Sequence, residues 1–444
     1  MAEAASLPTT SAAWHRRIWH LTWPVILANI TIPMVGTVDI AVMGRLPDPA
    51  YIGAVTLGAT LFSSVYWLFG FLRMGTTGLV AQDYGASNNP ASAIPIFLRG
   101  LVIAAVLSLL LLIFQTPLQT LLFTLFSPQG QVAELTAIYF SIRIWGAPGL
   151  LLYLVALGVL FGLQRMRDTL WLSIGFNLTN LILDLVLVLG FEMGVAGVAT
   201  GTVISEWGAA VLGCALVIRA CGERPRYDAS MLEASAMRQL FSVSSNLLLR
   251  TFFVQLPFLV GTALATQTGE LVLAAHGILM QLFFIMTYAL DGFAHTAETL
   301  AGYCYGARQR AALRAASIYS SLWALAFGVT AGVIFLLFGE VLIDGFTVSD
   351  AVRETAYDYL LWLALVPLFC TGAFLLDGIF IGTTFINEMR NAMMASALLW
   401  AGLLWLTWPV FGYHAVWLSM NVFMLLRTGL LLAYYPRIER GADL

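Results

Sequence analysis

The chain has 444 residues, of which 60% are hydrophobic and only 10% are charged. Soluble domains carry about 25% charged residues, so this composition excludes a soluble enzyme. The formal net charge of −3 excludes a nucleic-acid-binding protein, which would present a basic surface. All 21 basic residues are arginine, and the absence of lysine excludes ATP hydrolysis by a Walker-type site in this polypeptide.

Twelve apolar runs follow one another along the chain. A helix needs roughly 20 apolar residues to cross a bilayer, and its backbone satisfies its own hydrogen bonds there. The runs cover residues 19–43, 52–75, 92–116, 136–161, 168–190, 195–218, 239–266, 272–299, 312–338, 355–383, 391–411 and 414–435. They lack the strict alternation of barrel strands. We therefore predict an all-α integral membrane protein with twelve transmembrane helices, of which the first is a retained span and not a cleaved signal peptide.

The arginines are distributed unevenly between the two sides of the predicted bundle. Fifteen lie at the termini and in alternate loops, whereas the opposite loops hold only Arg45 and Arg353. Arginine-rich segments stay in the cytoplasm. We expect both termini to be cytoplasmic, which requires an even number of spans.

The two halves of the chain resemble each other. Residues Leu79–Ala86 match Leu300–Ala307 at an offset of 221, and Gly158–Gly162 match Gly378–Gly382 at an offset of 220. The offset is half the chain, which predicts two pseudo-symmetric six-helix lobes with the same orientation. The predicted parts are a cytoplasmic N-terminal segment 1–18, an N-lobe 19–221, a cytoplasmic linker 222–237, a C-lobe 238–436 and a cytoplasmic tail 437–444.

Polar residues deep in the predicted N-lobe are the first candidates for function. Ionisable groups inside a span are costly and point to a functional role. Asp39 and Asp184 lie roughly 33 Å and 26 Å from the cytoplasmic ends of their helices. Asn177 and Asn180 share one helical face with Asp184 at i, i+3 and i+7. Thr202 lies in the outer half of the sixth span, at a similar depth.

Burial and a second nearby carboxylate both favour the neutral form of a carboxyl group. The pair Asp39 and Asp184 is therefore a candidate for proton coupling, and the alternative is a static polar network. Pro24 and Pro33 each remove a backbone hydrogen bond from the first span. The helix that carries Asp39 is thus either a moving part or a fixed kink.

The predicted C-lobe carries a second charged cluster. Arg250, Asp291 and Asp377 lie roughly 18, 26 and 20 Å from the cytoplasmic ends of their helices. One cation and two anions at mid-depth predict an ion-pair triad. It serves either as a structural clamp or as a second cation or proton site.

Several segments resemble the multidrug and toxic compound extrusion (MATE) family, and more narrowly its DinF-like prokaryotic branch. The stretch Pro24–Gly44 is similar to the first helix of that branch, and Arg73–Ala86 to the end of its second helix. Tyr288–Ala294 and Leu376–Gly382 resemble parts of its eighth and tenth helices. The similarity extends over both lobes.

This resemblance implies a MATE/MOP-like fold and a monomeric secondary antiporter in a bacterial or archaeal cytoplasmic (inner) membrane. It implies export of amphipathic small molecules by alternating access, with organic cations as the usual cargo and amphipathic anions as the alternative. The family's N-lobe cation site maps onto Asp39, Asn177 or Asn180, Asp184 and Thr202, and its first-helix proline onto Pro24. The coupling ion is then H⁺, with Na⁺ as the alternative, and no organic cofactor or metal is expected.

Three other functions are weighed against proton-coupled export. A sodium-coupled exporter of the same family remains open, because carboxylate, amide and hydroxyl oxygens also bind Na⁺. A lipid-linked precursor flippase needs several arginines facing a central cavity, and only Arg250 and Arg143 are candidates. An intramembrane enzyme is disfavoured, because the five histidines and four cysteines show no metal or nucleophile spacing.

Overall fold

The computed structural model describes residues 7–43, 50–222 and 233–443, without the side chains of residues 32–43, 234, 236, 237 and 239. Within these ranges the chain forms fifteen α-helices. They are α1 Ser11–Met43, α2 Ala50–Leu68, α3 Phe71–Ser87, α4 Ala93–Ile113, α5 Gln115–Phe126, α6 Gly130–Arg143, α7 Ala147–Gly162, α8 Met166–Asp184, α9 Gly194–Cys221, α10 Ala234–Thr268, α11 Glu270–Gly306, α12 Arg310–Asp344, α13 Asp350–Gly382, α14 Ile386–Phe411 and α15 His414–Gly441.

The helices account for the twelve predicted spans. Eleven stretches of the described chain are long and apolar enough to cross a membrane, and α1, with 33 residues, supplies the twelfth. The predicted all-α fold with twelve spans is confirmed. Three details differ from the prediction. The second span consists of α2 and α3, a short helix, α5, follows the third span, and the fourth span consists of α6 and α7 joined by the 3₁₀ turn Ile144–Gly146.

The helices expose large apolar side chains, as a bilayer requires. Leu337, Leu398 and Trp405 are exposed over 67%, 67% and 76% of their surfaces. In water such surfaces would drive aggregation, whereas lipid tails solvate them. Several ionisable side chains of the spans, among them Arg143, Asp184 and Glu206, are instead buried.

The predicted break after α3 follows from its side chains. Asn88 adopts a left-handed conformation with φ 50°, and its N–H donates to the carbonyl of Tyr84. The side chain of Asn89 then accepts from the N–H of Ala91, one residue after Pro90. Asparagine tolerates the left-handed region and proline fits the first helical position, so the run Asn88–Pro90 ends one helix and begins the next turn.

Close contacts between Cα atoms divide the chain into two compact units. The first comprises Met1–Ile26 with Ser245–Leu444, and the second comprises Leu27–Ser244. The predicted linker, 222–237, lies largely outside the described residues and remains a prediction. The second unit differs from the predicted N-lobe at the start of α1, because the first turns of that helix pack within the first unit.

Side-chain contacts explain where the start of α1 packs. The hydroxyl groups of Thr22 and Thr296 are hydrogen-bonded at 2.9 Å, and both residues are fully buried. A Cβ atom on Gly292 would lie 2.5 Å from Cγ1 of Ile26. Since α11 carries both Thr296 and Gly292, the glycine lets α1 approach α11 closely.

The internal repeat appears as two equivalent helix contacts, one in each unit. Gly158 and Gly162 of α7 face the backbone of Arg73 and Thr77 in α3. Gly378 and Gly382 of α13 face the backbone of Ala294 and Glu298 in α11. The partners are separated by the same offsets as the sequence repeat. Small residues at such positions allow close helix packing, which gives a physical reason for the repeated glycines.

Candidate functional site

The predicted polar stripe of the fifth span lies on α8. This helix ends at Asp184, and the backbone continues as a π-helical turn over Leu185–Gly190. A π-helical turn widens the helix locally and is frequent at functional sites. The change of helix type therefore begins directly after the candidate carboxylate.

The two asparagines of the stripe reach different neighbouring helices. Asn177 donates its side-chain N–H to the hydroxyl of Thr31 on α1 at 2.5 Å. Asn180, one turn further along, donates to the hydroxyl of Thr202 on α9 at 3.3 Å. The side-chain Oδ1 of Asn180 is buried and has no hydrogen-bond partner in the described part of the protein. The stripe thus connects the helix of Asp39 to that of Thr202.

Asp184 is fully buried, with 0% of its surface exposed. Its carboxyl group packs against the backbone of α9 at Gly201, where a Cβ atom would lie 2.6 Å from Oδ1. The structure therefore brings Asp184, Asn180 and Thr202 into one region. Sequence reasoning missed Gly201, although the motif Gly197-x-x-x-Gly201 is a signal for close helix packing.

Two predicted residues lie on α1. Pro24 is buried within this helix, which continues without a break to Met43. Asp39 lies on the same helix, but its side chain is outside the described part of the structure. The contact from Asn177 reaches α1 at Thr31, about two turns before Asp39.

The cluster offers the chemistry of a proton or alkali-cation site. A carboxyl group, an amide oxygen and a hydroxyl oxygen accept hydrogen bonds, and the same oxygen types bind hard cations. An asparagine both donates and accepts, so it pairs with a carboxyl group in either protonation state. No group of three or more histidine, cysteine or acidic side chains within the described residues is arranged to hold a metal ion.

Arg143 is held by an ion pair within the second unit. Its two terminal nitrogens donate to the two carboxylate oxygens of Glu206 at 2.6 and 2.5 Å. The rings of Phe62 and Tyr66 lie 5.2 Å from the guanidinium carbon. This arginine is therefore neutralised, which removes one of the two cations considered for a flippase.

Two of the three residues of the predicted C-lobe cluster, Arg250 and Asp377, form an ion pair. The Oδ2 atom of Asp377 accepts from Arg250 and also from Arg427, the latter at 2.6 Å. Asp291, the third predicted member, lies on α11 and is half-buried. Arg427, which forms the second of these ion pairs, has only 2% of its surface exposed.

The MatE family model matches this chain twice, over residues 24–186 and 247–405. The two matches fall on the two halves of the internal repeat. The chain is also 38% identical over 433 residues to DNA damage-inducible protein F of Escherichia coli (strain K12). This match covers 96% of this chain and 93% of that protein. A probable multidrug resistance protein NorM of Photorhabdus laumondii is 24% identical over 93% of this chain and 88% of its own length.

Solved structures share the fold. A MOP superfamily transporter from Pyrococcus furiosus superposes with a TM-score of 0.87 at 17% identity, over 96% of each chain. The Vibrio cholerae MATE transporter VcmN in the bent form gives a TM-score of 0.86 at 16% identity, over 98% of this chain and 99% of that one. With the fold, the repeated family match and the bacterial relative in agreement, this multi-pass membrane protein belongs to the MATE family of transporters.

Proposed function

We propose that this chain is a proton-driven exporter of amphipathic small molecules in a bacterial cytoplasmic membrane, with both termini in the cytoplasm. Its family membership and the names of its relatives, which include a multidrug resistance protein, support the export function. The distribution of arginines supports the orientation.

The observation that carries the proton coupling is the buried carboxyl group of Asp184 beside Asn180 and Gly201. A carboxyl group is charged only when it is deprotonated, so its proton occupancy depends on the groups that surround it in each conformation. A conformation that stabilises the protonated acid is favoured by H⁺, and the substrate favours the other conformation. Linkage of this kind makes proton entry drive substrate release.

Asp39 is proposed as the partner acid on α1. It lies on the helix that Asn177 contacts through Thr31, so α8, which carries Asp184, is in contact with α1. Pro24 is proposed as the hinge of this helix, because proline deletes one backbone hydrogen bond. We expect Pro24→Ala to slow export while the protein still folds as a monodisperse species in detergent.

The test is transport of a fluorescent organic cation by purified protein in proteoliposomes, with proton and sodium gradients imposed separately. We expect a proton gradient alone to drive export. Asp184→Asn and Asp39→Asn should abolish this activity and retain the folded state. The matched control is Asp350→Asn, because the Asp350 side chain is 89% exposed at the start of α13.

The sodium alternative uses the same oxygens and predicts the opposite result. Export would then follow the sodium gradient and persist without a proton gradient. Unchanged proton-driven export by Asp184→Asn would reject the coupling role of that residue. Absence of transport under either gradient, with folded protein, would reject the exporter itself.

A further inference from the structure

The cluster around Asp377 has two arginines for one carboxylate. Arg250 on α10 and Arg427 on α15 donate to the same oxygen of Asp377 on α13. The three side chains are exposed over only 9%, 2% and 8% of their surfaces. Both arginines lie near the midpoints of their helices; Arg427 is about 20 Å from either end of α15. The positive charge is therefore largely buried within the protein.

A buried charge without a counter-charge is strongly unfavourable. Asp377 neutralises one of the two guanidinium groups. The rings of Phe423 and Phe374, at 5.5 and 5.9 Å from the Arg427 guanidinium carbon, stabilise a cation only weakly compared with a carboxylate. In these contacts, the second positive charge therefore has no carboxylate of its own.

Several polar atoms of this cluster also lack partners. The Nε–H groups of Arg250 and Arg427 are buried and have no acceptor in the described part of the protein. The Oδ1 atom of Asp377 is also buried, and it has no donor there. Arg427 directs another N–H to the sulfur of Met424 at 3.3 Å, which is a weak acceptor. Buried donors on cations are normally satisfied, so these atoms point to a missing acceptor.

We propose that Arg250 and Arg427 form an anion subsite that takes a carboxylate group or a small inorganic anion. The ligand would supply the missing negative charge and accept from the two Nε–H groups. Arginine suits this role because its planar donors match carboxylate geometry. If the carboxylate belongs to an exported molecule, the preferred cargo is amphipathic and bears an acid group. That last step rests on the proposed export function, whereas anion binding does not.

The test is equilibrium binding to the full purified chain in detergent, measured by fluorescence anisotropy. The probes are a rhodamine dye with a free carboxyl group and its ethyl ester, which differ only at that group. We expect the acid to bind roughly tenfold more tightly than the ester. Arg427→Gln and Arg250→Gln should each remove this preference, whereas Arg427→Lys should retain part of it. The control is Arg353→Gln, because Arg353 forms an ion pair with Asp344 in which both side chains are partly exposed.

A second arm identifies a free anion as the source. Thermal unfolding of the wild-type chain and of Arg427→Gln is compared at increasing chloride concentrations, because a bound ion stabilises the folded state. Chloride stabilisation that Arg427→Gln removes, without a dye preference, supports a small-anion site. An acid preference that Arg427→Gln removes supports a substrate carboxylate. If the wild-type chain shows neither the chloride stabilisation nor the preference for the acid dye, the proposal is overturned.

The variant Asp291→Asn tests whether the counter-charge of the second arginine is Asp291 or a bound anion. If Asp291 supplied the missing charge, the acid preference would be absent in the wild-type chain and appear in this variant, which would also overturn the proposal. Arg427→Gln leaves the neutral pair of Arg250 and Asp377, so it should fold. Should it not, the wild-type dye comparison and Arg250→Gln still decide the question.

Discussion

The Oδ1 atom of Asp184 lies 2.6 Å from the position that a Cβ atom on residue 201 would take, so a side chain at Gly201 would require the carboxyl group to move. The glycine lets two helices of the same unit meet at a buried acid. Its role is steric, and substitution there should act on the acid without changing any polar group.

We expect Gly201→Ala to reduce proton-driven export at least about tenfold, because a displaced carboxyl group meets different partners. Overpacking of this kind also costs about 1–3 kcal/mol of stability. Export is measured in proteoliposomes. Gly208→Ala on the same helix is the control, since a Cβ atom there meets nothing within 4 Å. Equal activity of the two variants would contradict this role of Gly201.

The hydroxyl of Thr202 accepts from Asn180, which is 1% exposed. Thr202→Val keeps the shape and removes the acceptor, so a buried N–H loses its partner at a cost of about 1–3 kcal/mol. We expect a lower midpoint of thermal unfolding and weaker proton-driven export. Thr202→Ser keeps the hydroxyl and should stay close to wild type in both measurements. A serine variant as impaired as the valine variant would argue against the hydrogen bond.

Glu206 neutralises Arg143 in a region where both side chains are buried. Glu206→Gln should destabilise the protein by about 3–5 kcal/mol, because it leaves a buried charge unpaired. Arg143→Met combined with Glu206→Leu removes both charges and should be less destabilised than the single variant. Thermal unfolding in detergent measures the difference. A double variant that is less stable than Glu206→Gln would show that the pair acts by more than mutual neutralisation.

The repeated glycine contacts predict an ordered series of effects. A Cβ atom on Gly382 would overlap the backbone carbonyl of Glu298, whereas one on Gly162 would lie 2.7 Å from side-chain atoms of Val80 and 2.9 Å from a carbonyl oxygen. We expect Gly382→Ala to lower the yield of folded protein more than Gly162→Ala, because backbone moves less readily than a side chain. Gly402→Ala, in open space, is the control. Equal yields for all three would contradict close packing at this interface.

The spans, the repeat and the polar stripe of α8 were accessible from the sequence for physical reasons. A bilayer imposes a length and an apolar composition on every span, so the twelve runs can be recognised in the sequence without knowledge of any contact. Helical periodicity places Asn177, Asn180 and Asp184 on one face. The short helix α5 was missed, because its apolar residues continue those of the third span and its polar residues resemble a loop.

Partnerships between distant residues were decided only by the tertiary structure. The sequence shows that Arg250, Asp377 and Arg427 sit within spans, but which helices are neighbours depends on packing of side chains that are 50 or 127 residues apart along the chain. The same holds for the pairing of Arg143 with Glu206. Composition and periodicity are local properties of the chain, so they determine the membrane architecture. The balance of buried charge depends on three-dimensional contacts, and the fold alone shows that two arginines share a single acid.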